Sequence, residues 1–273
     1  MGADQRQFAR FVSEARAAAR LAGRIQLDSY GASIEVSRKG DINLVTEVDH
    51  RCERAVVDHL HAAFPDHRIL AEEGYSRESD SEYRWIVDPL DGTTNYAHGY
   101  PRFCVAIALE QSGRVLLGVV LDPVLDEEFV AVLGGGATLN GRPIRVSART
   151  DVLHSLLATG FAYDIRENPD NNLDYFEAFM MEAQAVRRDG SAELNLCYTA
   201  MGRFDGFWEM QLSPWDVAAG GLIVREAGGV VTDFEGRPNE IDGRLIVASN
   251  GKIQGAMLEI IRRTRARSGR PAD

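Results

Sequence analysis

The stretch that most constrains this chain is Trp85-Ile86-Val87-Asp88-Pro89-Leu90-Asp91-Gly92-Thr93-Thr94-Asn95. An apolar, β-prone run from Tyr83 to Val87 ends in an acid, meets a proline, and delivers a second acid followed by glycine and two hydroxyls. A strand that stops at Asp88 in a polar turn is predicted, because Pro89 has a fixed φ and no N–H to donate to a sheet. Two hard oxygen donors three residues apart then point into one small volume. Gly92 lets the backbone approach a ligand closely, and a helical turn begun at Thr93-Thr94-Asn95 faces unpaired N–H groups outward. Acids for a hard cation beside amides for an anion are what metal-dependent phosphate chemistry requires. Alone, Asp-Pro-x-Asp-Gly is more often a solvated surface turn, so the rest of the chain decides.

A length of 273 residues with 45% hydrophobic content permits one large domain or two packed lobes around a substantial core. Net charge is −11 and there is no basic stripe, which leaves nonspecific nucleic-acid binding without electrostatic support. An acidic protein that handles phosphate esters needs local positive charge, and bound cations supply it. Cys52, Cys104 and Cys197 are scattered in apolar or helical contexts and read as reduced core thiols of a cytoplasmic protein. The first ten residues lack an apolar signal core and no stretch approaches ~20 apolar residues, so no membrane partner is expected.

Residues 5–29 place Phe8, Phe11, Val12, Ala15, Ala19 and Ala22 on one helical face, closed near Gly31, and residues 33–36 read as the start of an extended segment. A polar loop from Lys39 to Asn43 leads into Leu44-Val45-Thr46. A second helix is expected from about Asp49 to Ala63, with Val56, Leu60 and Ala63 buried. Residues 68–71 read as a strand ending at Glu72-Glu73-Gly74, and residues 75–82 as a mobile surface loop. Strand-like runs at 103–110, 114–121 and 128–133 have short connections that argue for antiparallel meanders, and turns at 134–136 and 140–143 precede another short strand. The polar stretch at 147–152 divides an N-terminal α+β lobe, residues 1–148, from a C-terminal α/β lobe, residues 149–273. In the second lobe strands are expected at 153–159, 205–210, 230–234 and 244–248, and helices at 172–185, 192–201, 215–227 and 252–265, before a frayed tail from Arg267. That alternation suggests layered sheets and helices.

Several polar residues carry two readings. Glu72 and Glu73 form a solvated strand end or, beside the turn at 88–95, supply a third carboxylate for Mg2+. Asp216, at the start of a predicted helix after Ser213-Pro214-Trp215, is a helix cap or a ligand. Thr46-Glu47-Val48-Asp49 has the spacing of a capping box. His98 is a rim or packing residue, since Mg2+ sites favour oxygen.

Asp88-Pro89-Leu90-Asp91-Gly92-Thr93-Thr94-Asn95 resembles the signature of the inositol monophosphatase family. Leu44-Val45-Thr46-Glu47-Val48-Asp49, Ile69-Leu70-Ala71-Glu72-Glu73-Gly74 and Pro214-Trp215-Asp216-Val217-Ala218-Ala219-Gly220-Gly221 resemble its other motifs in the same order, so the likeness covers roughly residues 5 to 262. The resemblance implies the layered αβαβα sandwich of the sugar phosphatases, an α+β fold. It also implies Mg2+-dependent hydrolysis of a small phosphate ester, foremost myo-inositol 1-phosphate, by metal-activated water. Two to three ions are implied: Glu72, Asp88 and the Leu90 carbonyl would hold one, Asp88, Asp91 and Asp216 a second, and Glu72 a weaker third. Thr93 and Glu72 would orient and deprotonate the water, Asp49 would accept from the Thr93 hydroxyl, and the Gly92 and Thr93 amides would bind phosphate. Gly190, Ser191, Ala192, Glu209, Asp91 and Asp216 would contact the substrate, Glu209 by its spacing seven residues before Asp216.

Lys39 lies in a loop similar to the family's metal-gating segment, where Asn43 replaces a frequent Asp and puts third-ion affinity in doubt. Homodimerisation and Li+ inhibition are further family expectations. Fructose-1,6-bisphosphatase and histidinol-phosphate phosphatase activities stay open as alternatives. A 3′-phosphonucleotide phosphatase is disfavoured, because that group resembles Lys-Glu at Thr94-Asn95. A binding role, to transcription or ribosome-assembly machinery, is the alternative from another class.

Overall fold

The computed structural model describes residues 3–32, 36–38, 44–239 and 241–268. Lys39, Asn43, the extended segment expected at 33–35 and the tail beyond 268 lie outside the described residues.

Apolar residues at three- and four-residue intervals build the first helix, α1 (Ala3–Ser29), which buries Phe11, Ala15, Ala18, Ala19 and Ala22. Strands β1 (Val36–Arg38) and β2 (Leu44–Thr46) pair antiparallel. Helix α2 (Glu47–Ala63) starts two residues before the expected Asp49, because Thr46 is its cap. The Thr46 hydroxyl accepts from the Val48 amide at 3.1 Å, and the Thr46 N–H donates to Asp49 Oδ2 at 2.9 Å.

An eight-stranded sheet follows. Its members are β3 (Arg68–Ala71), β4 (Ser76–Arg77), β5 (Tyr83–Asp91), β6 (Cys104–Gln111), β7 (Arg114–Asp122), β8 (Glu127–Val132), β9 (Gly136–Leu139) and β10 (Arg142–Pro143). They lie in the order β10-β9-β8-β7-β6-β5-β3-β4. From β5 to β10 the strands form the predicted antiparallel meander, whereas β3 runs parallel to β5. The segment read as a loop at 75–82 contains the edge strand β4, paired to β3.

The expectation that the central strand stops at Asp88 is corrected. β5 runs through Pro89 to Asp91, with Asp88 opposite Ala106 and Asp91 opposite Cys104, and a register shift between them. Three steps on β5 face two on β6, so one residue is extra, and the bulge is where a proline without an N–H costs the ladder least. The helical turn α3 (Thr93–Ala97) follows at once.

The second sheet has β11 (Leu156–Thr159), β12 (Ala185–Arg187), β13 (Gly206–Met210), β14 (Val230–Thr232) and β15 (Leu245–Ser249), in the order β12-β11-β13-β15-β14. Its helices are α4 (Leu173–Glu182), α5 (Ala192–Ala200), α6 (Ala218–Glu226) and α7 (Gln254–Ser268). Strand β12 was not expected; three residues carry too little alternation to read. The helix expected over 215–227 is broken: Pro214–Asp216 is a 3₁₀ turn, Val217 leaves the helical region at φ −136°, and α6 starts afresh.

Three buried clusters give the layer order. Residues of α1 and α2, such as Phe11, Ala19, Val56 and Leu60, pack on Trp85, Val87 and Ile107 of the first sheet. Leu194 and Leu196 of α5, with Leu222 and Ile223 of α6, fill the space between Ile86 and Phe129 of the first sheet and Phe207 and Ala248 of the second. Tyr175 and Phe179 of α4, with Met257 and Ile260 of α7, cover Trp208 and Val247 on the far face. Helix, sheet, helix, sheet, helix is the αβαβα sandwich. All three cysteines are free and buried.

Candidate active site

Glu72, Asp88, Asp91 and Asp216 line one cavity of about 710 Å³, together with the turn at 92–95 and the start of α5. The four acids arrive from three places in the fold. Glu72 follows β3, in a turn held from behind by Glu53, whose Oε2 accepts from the Glu73 amide at 2.8 Å. Asp88 and Asp91 stand on either side of the bulge in β5, and Asp216 closes the 3₁₀ turn before α6.

Protein donors already meet part of the Asp88, Asp91 and Asp216 carboxylates. Asp88 Oδ1 accepts from the Leu90 amide at 3.0 Å. Asp91 Oδ2 accepts from the Ser191 hydroxyl at 2.7 Å and the Glu193 amide at 2.8 Å, while Oδ1 accepts from the Ala192 amide at 3.3 Å. The Cys104 thiol lies 3.6 Å from the same Asp91 Oδ2. Asp216 Oδ2 accepts from the Ser213 amide at 2.6 Å, so Asp216 caps the 3₁₀ turn Pro214–Asp216 and not the helix α6 that follows. The expectation of direct substrate contacts from Ser191 and Ala192 meets a competitor: both line the cavity, but their donors face Asp91.

Thr93 Oγ1 lies 2.8 Å from Asp49 Oδ1 and 3.1 Å from the Leu90 carbonyl, one or the other taking its proton. Asp49 thus belongs to the capping box, and its other oxygen lies within hydrogen-bond reach of the Thr93 hydroxyl. Gly92 has φ +98°, and a Cβ there would come within 2.8 Å of the Arg102 carbonyl, so both backbone and space demand glycine. Glu209 is not the exposed acid that its strand-end position allowed. It is 6% exposed and lies against Gly160, where any Cβ would overlap its carboxylate.

Burial, and then repulsion from Glu72, Asp91 and Asp216, push the Asp88 carboxyl well above its ordinary value. Burial raises Asp91, against the bonds from Ser191, Glu193 and Ala192. Asp216 is raised to about 7 by burial, opposed by the Ser213 amide and helped by Asp91. Glu209 is pushed well up by burial and by Asp216 and Asp91, with Arg188 opposing. Five carboxylates line the cavity against two guanidinium groups, Arg166 and Arg188. An all-oxygen donor set with surplus negative charge fits a hard divalent cation. As the side chains stand, no three His, Cys, Asp or Glu among the described residues are grouped to hold an ion. What the acids share is the cavity and its burial, which raises the pKa of Asp88, Asp91 and Asp216 alike.

Tyr163, Arg166 and Arg188 also line the cavity and were not singled out by sequence reading; they sit in irregular connections without periodicity. Glu193 was missed as well. It is fully buried, its Oε2 accepts from the Gly220 amide at 2.6 Å, and Oε1 has no partner among the described residues. Burial and Asp91 push its pKa well up. His98 is exposed and away from the cavity.

Over residues 8–266 the sequence matches the inositol monophosphatase family. The chain belongs to the inositol monophosphatase family. It is 47% identical over 233 residues to a Nus factor SuhB of Pseudomonas aeruginosa, covering 84% of this chain and 86% of that one. It is 42% identical over 249 residues to an inositol-1-monophosphatase of Mesorhizobium japonicum, covering 90% and 94%. The crystal structure of the extragenic suppressor protein suhB of Bartonella henselae superposes with a TM-score of 0.88 at 40% identity, covering 92% of this chain and 98% of that one. Membership of the inositol monophosphatase family supports phosphatase chemistry on a small phosphate ester and a general dependence on metal. Among the described residues no helix is long and apolar enough to cross a membrane.

Proposed function

We propose that the chain is a Mg2+-dependent phosphomonoester hydrolase that converts myo-inositol 1-phosphate, or a closely related polyol or sugar phosphate, to the alcohol and inorganic phosphate. The observation that carries this reading is that Glu72, Asp88, Asp91 and Asp216 line one cavity against the turn at 92–95. Two to three Mg2+ ions are proposed, held by Glu72, Asp88, the Leu90 carbonyl, Asp91 and Asp216. When bound they supply neutralisation of phosphate and leaving-group charge and a lowered pKa for water.

Thr93 orients the nucleophile. With its proton directed at Asp49, its oxygen is left to accept one O–H of the water, and Glu72 is the carboxylate assigned to remove the other proton. The Gly92 and Thr93 amides hold the phosphate. Glu209 and Asp216, with Gly190, Ser191 and Ala192 along the same wall, face the hydroxyls of the leaving alcohol. Burial, with Asp216 and Asp91, pushes the Glu209 carboxyl up and so favours its protonated form, which can donate as well as accept. Water attacks phosphorus directly, the ester C–O–P bond breaks at P–O, and the proton taken from the water is returned through solvent to the leaving alkoxide, so no covalent enzyme intermediate forms. A cytoplasmic homodimer inhibited by Li+ completes the reading.

Phosphate release from inositol 1-phosphate, fructose 1,6-bisphosphate and histidinol phosphate, each with Mg2+ and with EDTA, tests it. Activity that survives chelation sinks the mechanism, and preference for another ester reassigns the substrate. The Nus factor name of the Pseudomonas relative favours a second reading, in which the same fold also binds a macromolecular partner. An Asp88→Asn chain that keeps such a partner while losing hydrolysis separates the two.

A further inference from the structure

The apolar stripe of α1 is interrupted one turn past Ala22 by Gln26, which has no exposed surface. Burying an amide is unfavourable unless its polar atoms are met, and here Oε1 has no partner among the described residues. The nitrogen explains the residue. Gln26 Nε2 donates to the Pro89 carbonyl at 2.9 Å and lies 3.4 Å from the Cys104 carbonyl. Those carbonyls belong to the bulge itself: Pro89 lies inside it, and Cys104 is the β6 residue at which pairing resumes, opposite Asp91. On the same turn of α1, the Gln26 carbonyl accepts from the Tyr96 hydroxyl of α3 at 2.7 Å.

Asp88 and Asp91 are one position out of step with a regular ladder, and this is what brings both carboxylates to one cavity. A bulge leaves buried carbonyls in need of donors, and a neighbouring proline cannot supply one. We propose that Gln26 is a positioning residue for the metal ligands, its amide pinning the bulge that sets the spacing of Asp88 and Asp91. The inference rests on the proposed reading of those two acids as Mg2+ ligands. Gln26 touches neither substrate nor ion, and it acts through the backbone at Pro89 and Cys104.

The test uses Gln26→Met, which keeps length and volume and removes the donor. Isothermal titration of the full chain with Mg2+ is expected to show affinity weakened on the order of 10-fold, as for other groups that orient metal ligands. The Mg2+ concentration for half-maximal activity moves in parallel, while KM for substrate at saturating Mg2+ changes less. Ile260→Val, a methyl removed from the far cluster under α7, is the control: it lowers Tm and leaves Mg2+ affinity alone. Unchanged Mg2+ affinity in Gln26→Met overturns the proposal whatever Tm does. Should that variant not fold, Gln26→Glu, which keeps the shape but offers at most one O–H to the two carbonyls, carries the same test. A several-fold loss of affinity there supports the role, and wild-type affinity overturns it. The unaltered chain distinguishes the layers of inference: if it binds no Mg2+, the proposed function fails, whereas normal binding in both variants removes only Gln26.

Discussion

The metal-free chain should lose stability as pH rises through the acid range, and Mg2+ should return it. Asp216 is the gauge, because its carboxyl is raised from 3.8 to about 7. A carboxyl whose folded-state value is raised binds its proton more tightly folded than unfolded. Its favourable contribution is therefore complete below pH 3.8 and is lost progressively as pH climbs to about 7. About three units at ~1.4 kcal/mol each set an upper limit of about 4 kcal/mol. Asp88 and Asp91 are shifted in the same direction and add to the trend. Divalent ions reverse it, since they favour the ionised carboxylates and bind only the folded arrangement. Thermal melts in EDTA and in Mg2+ at about pH 4.5 and about pH 7.5 read the effect, and the Mg2+ increment cancels ionisable groups elsewhere. At roughly 2–4 °C per kcal/mol for a chain of this size, the increment should be about 5–10 °C larger at the higher pH. An increment equal at both pH values, or no increment at all, refutes the reasoning that burial and mutual repulsion raise these carboxyls and that Mg2+ relieves it.

Asp88→Asn should lower phosphate release at least ~10²-fold while raising the EDTA melting temperature, because it removes the most repelled charge. The rise should exceed that of Asp91→Asn, whose native carboxylate has three protein donors. Thr93→Val should cut kcat on the order of 10²-fold and Thr93→Ser should restore most of it, measured as phosphate release at saturating substrate. Gln211 holds φ +61°, so Gln211→Gly should stabilise the chain by about 1 kcal/mol in denaturant unfolding. Its side chain also lies between the active-site cavity and a neighbouring one of about 550 Å³, so the same variant should raise kcat/KM for bulky esters relative to inositol 1-phosphate.

What the sequence made legible was local. Asp88, Asp91 and Gly92 sit within five residues, so their chemistry could be read from spacing, and Thr46 and Asp49 announced a cap that the structure contains. Resemblance then picked Glu72 and Asp216 from many other acids, which periodicity could not have done. Pro89 was misread as a stop because propensity treats proline as a ladder fault, whereas a bulge absorbs it. The break before α6 was missed for a similar reason: Pro214 can begin a helix, and only the backbone at Val217 shows that the first turn is separate. Glu209 could be read either way from its strand-end position. Its burial depends on Gly160, 49 positions earlier on a neighbouring strand's exit, and such pairings leave no local trace. Gln26 and Glu193 belong to the same class, polar residues whose partners are more than twenty residues away.

The site is completed by tertiary packing rather than by any one motif. Asp91 leaves the first sheet, yet its carboxylate is held by Ser191, Ala192 and Glu193 at the start of α5, about a hundred positions later. The donors at α5 oppose the effect of burial on Asp91 and favour its charge, whereas Asp88 has a single amide and faces three other acids. Asp91 is therefore the carboxylate kept ready by the fold, and Asp88 is the one whose charge most needs a cation. Glu193 ties the same end of α5 to Gly220 in α6, next to the turn that carries Asp216. The helical layer between the sheets thus sets the separation of Asp91 and Asp216, while Gln26 on the outer layer sets that of Asp88 and Asp91. An ion bridging these acids would draw on both layers at once, so metal affinity and the docking of the two sheets should rise and fall together.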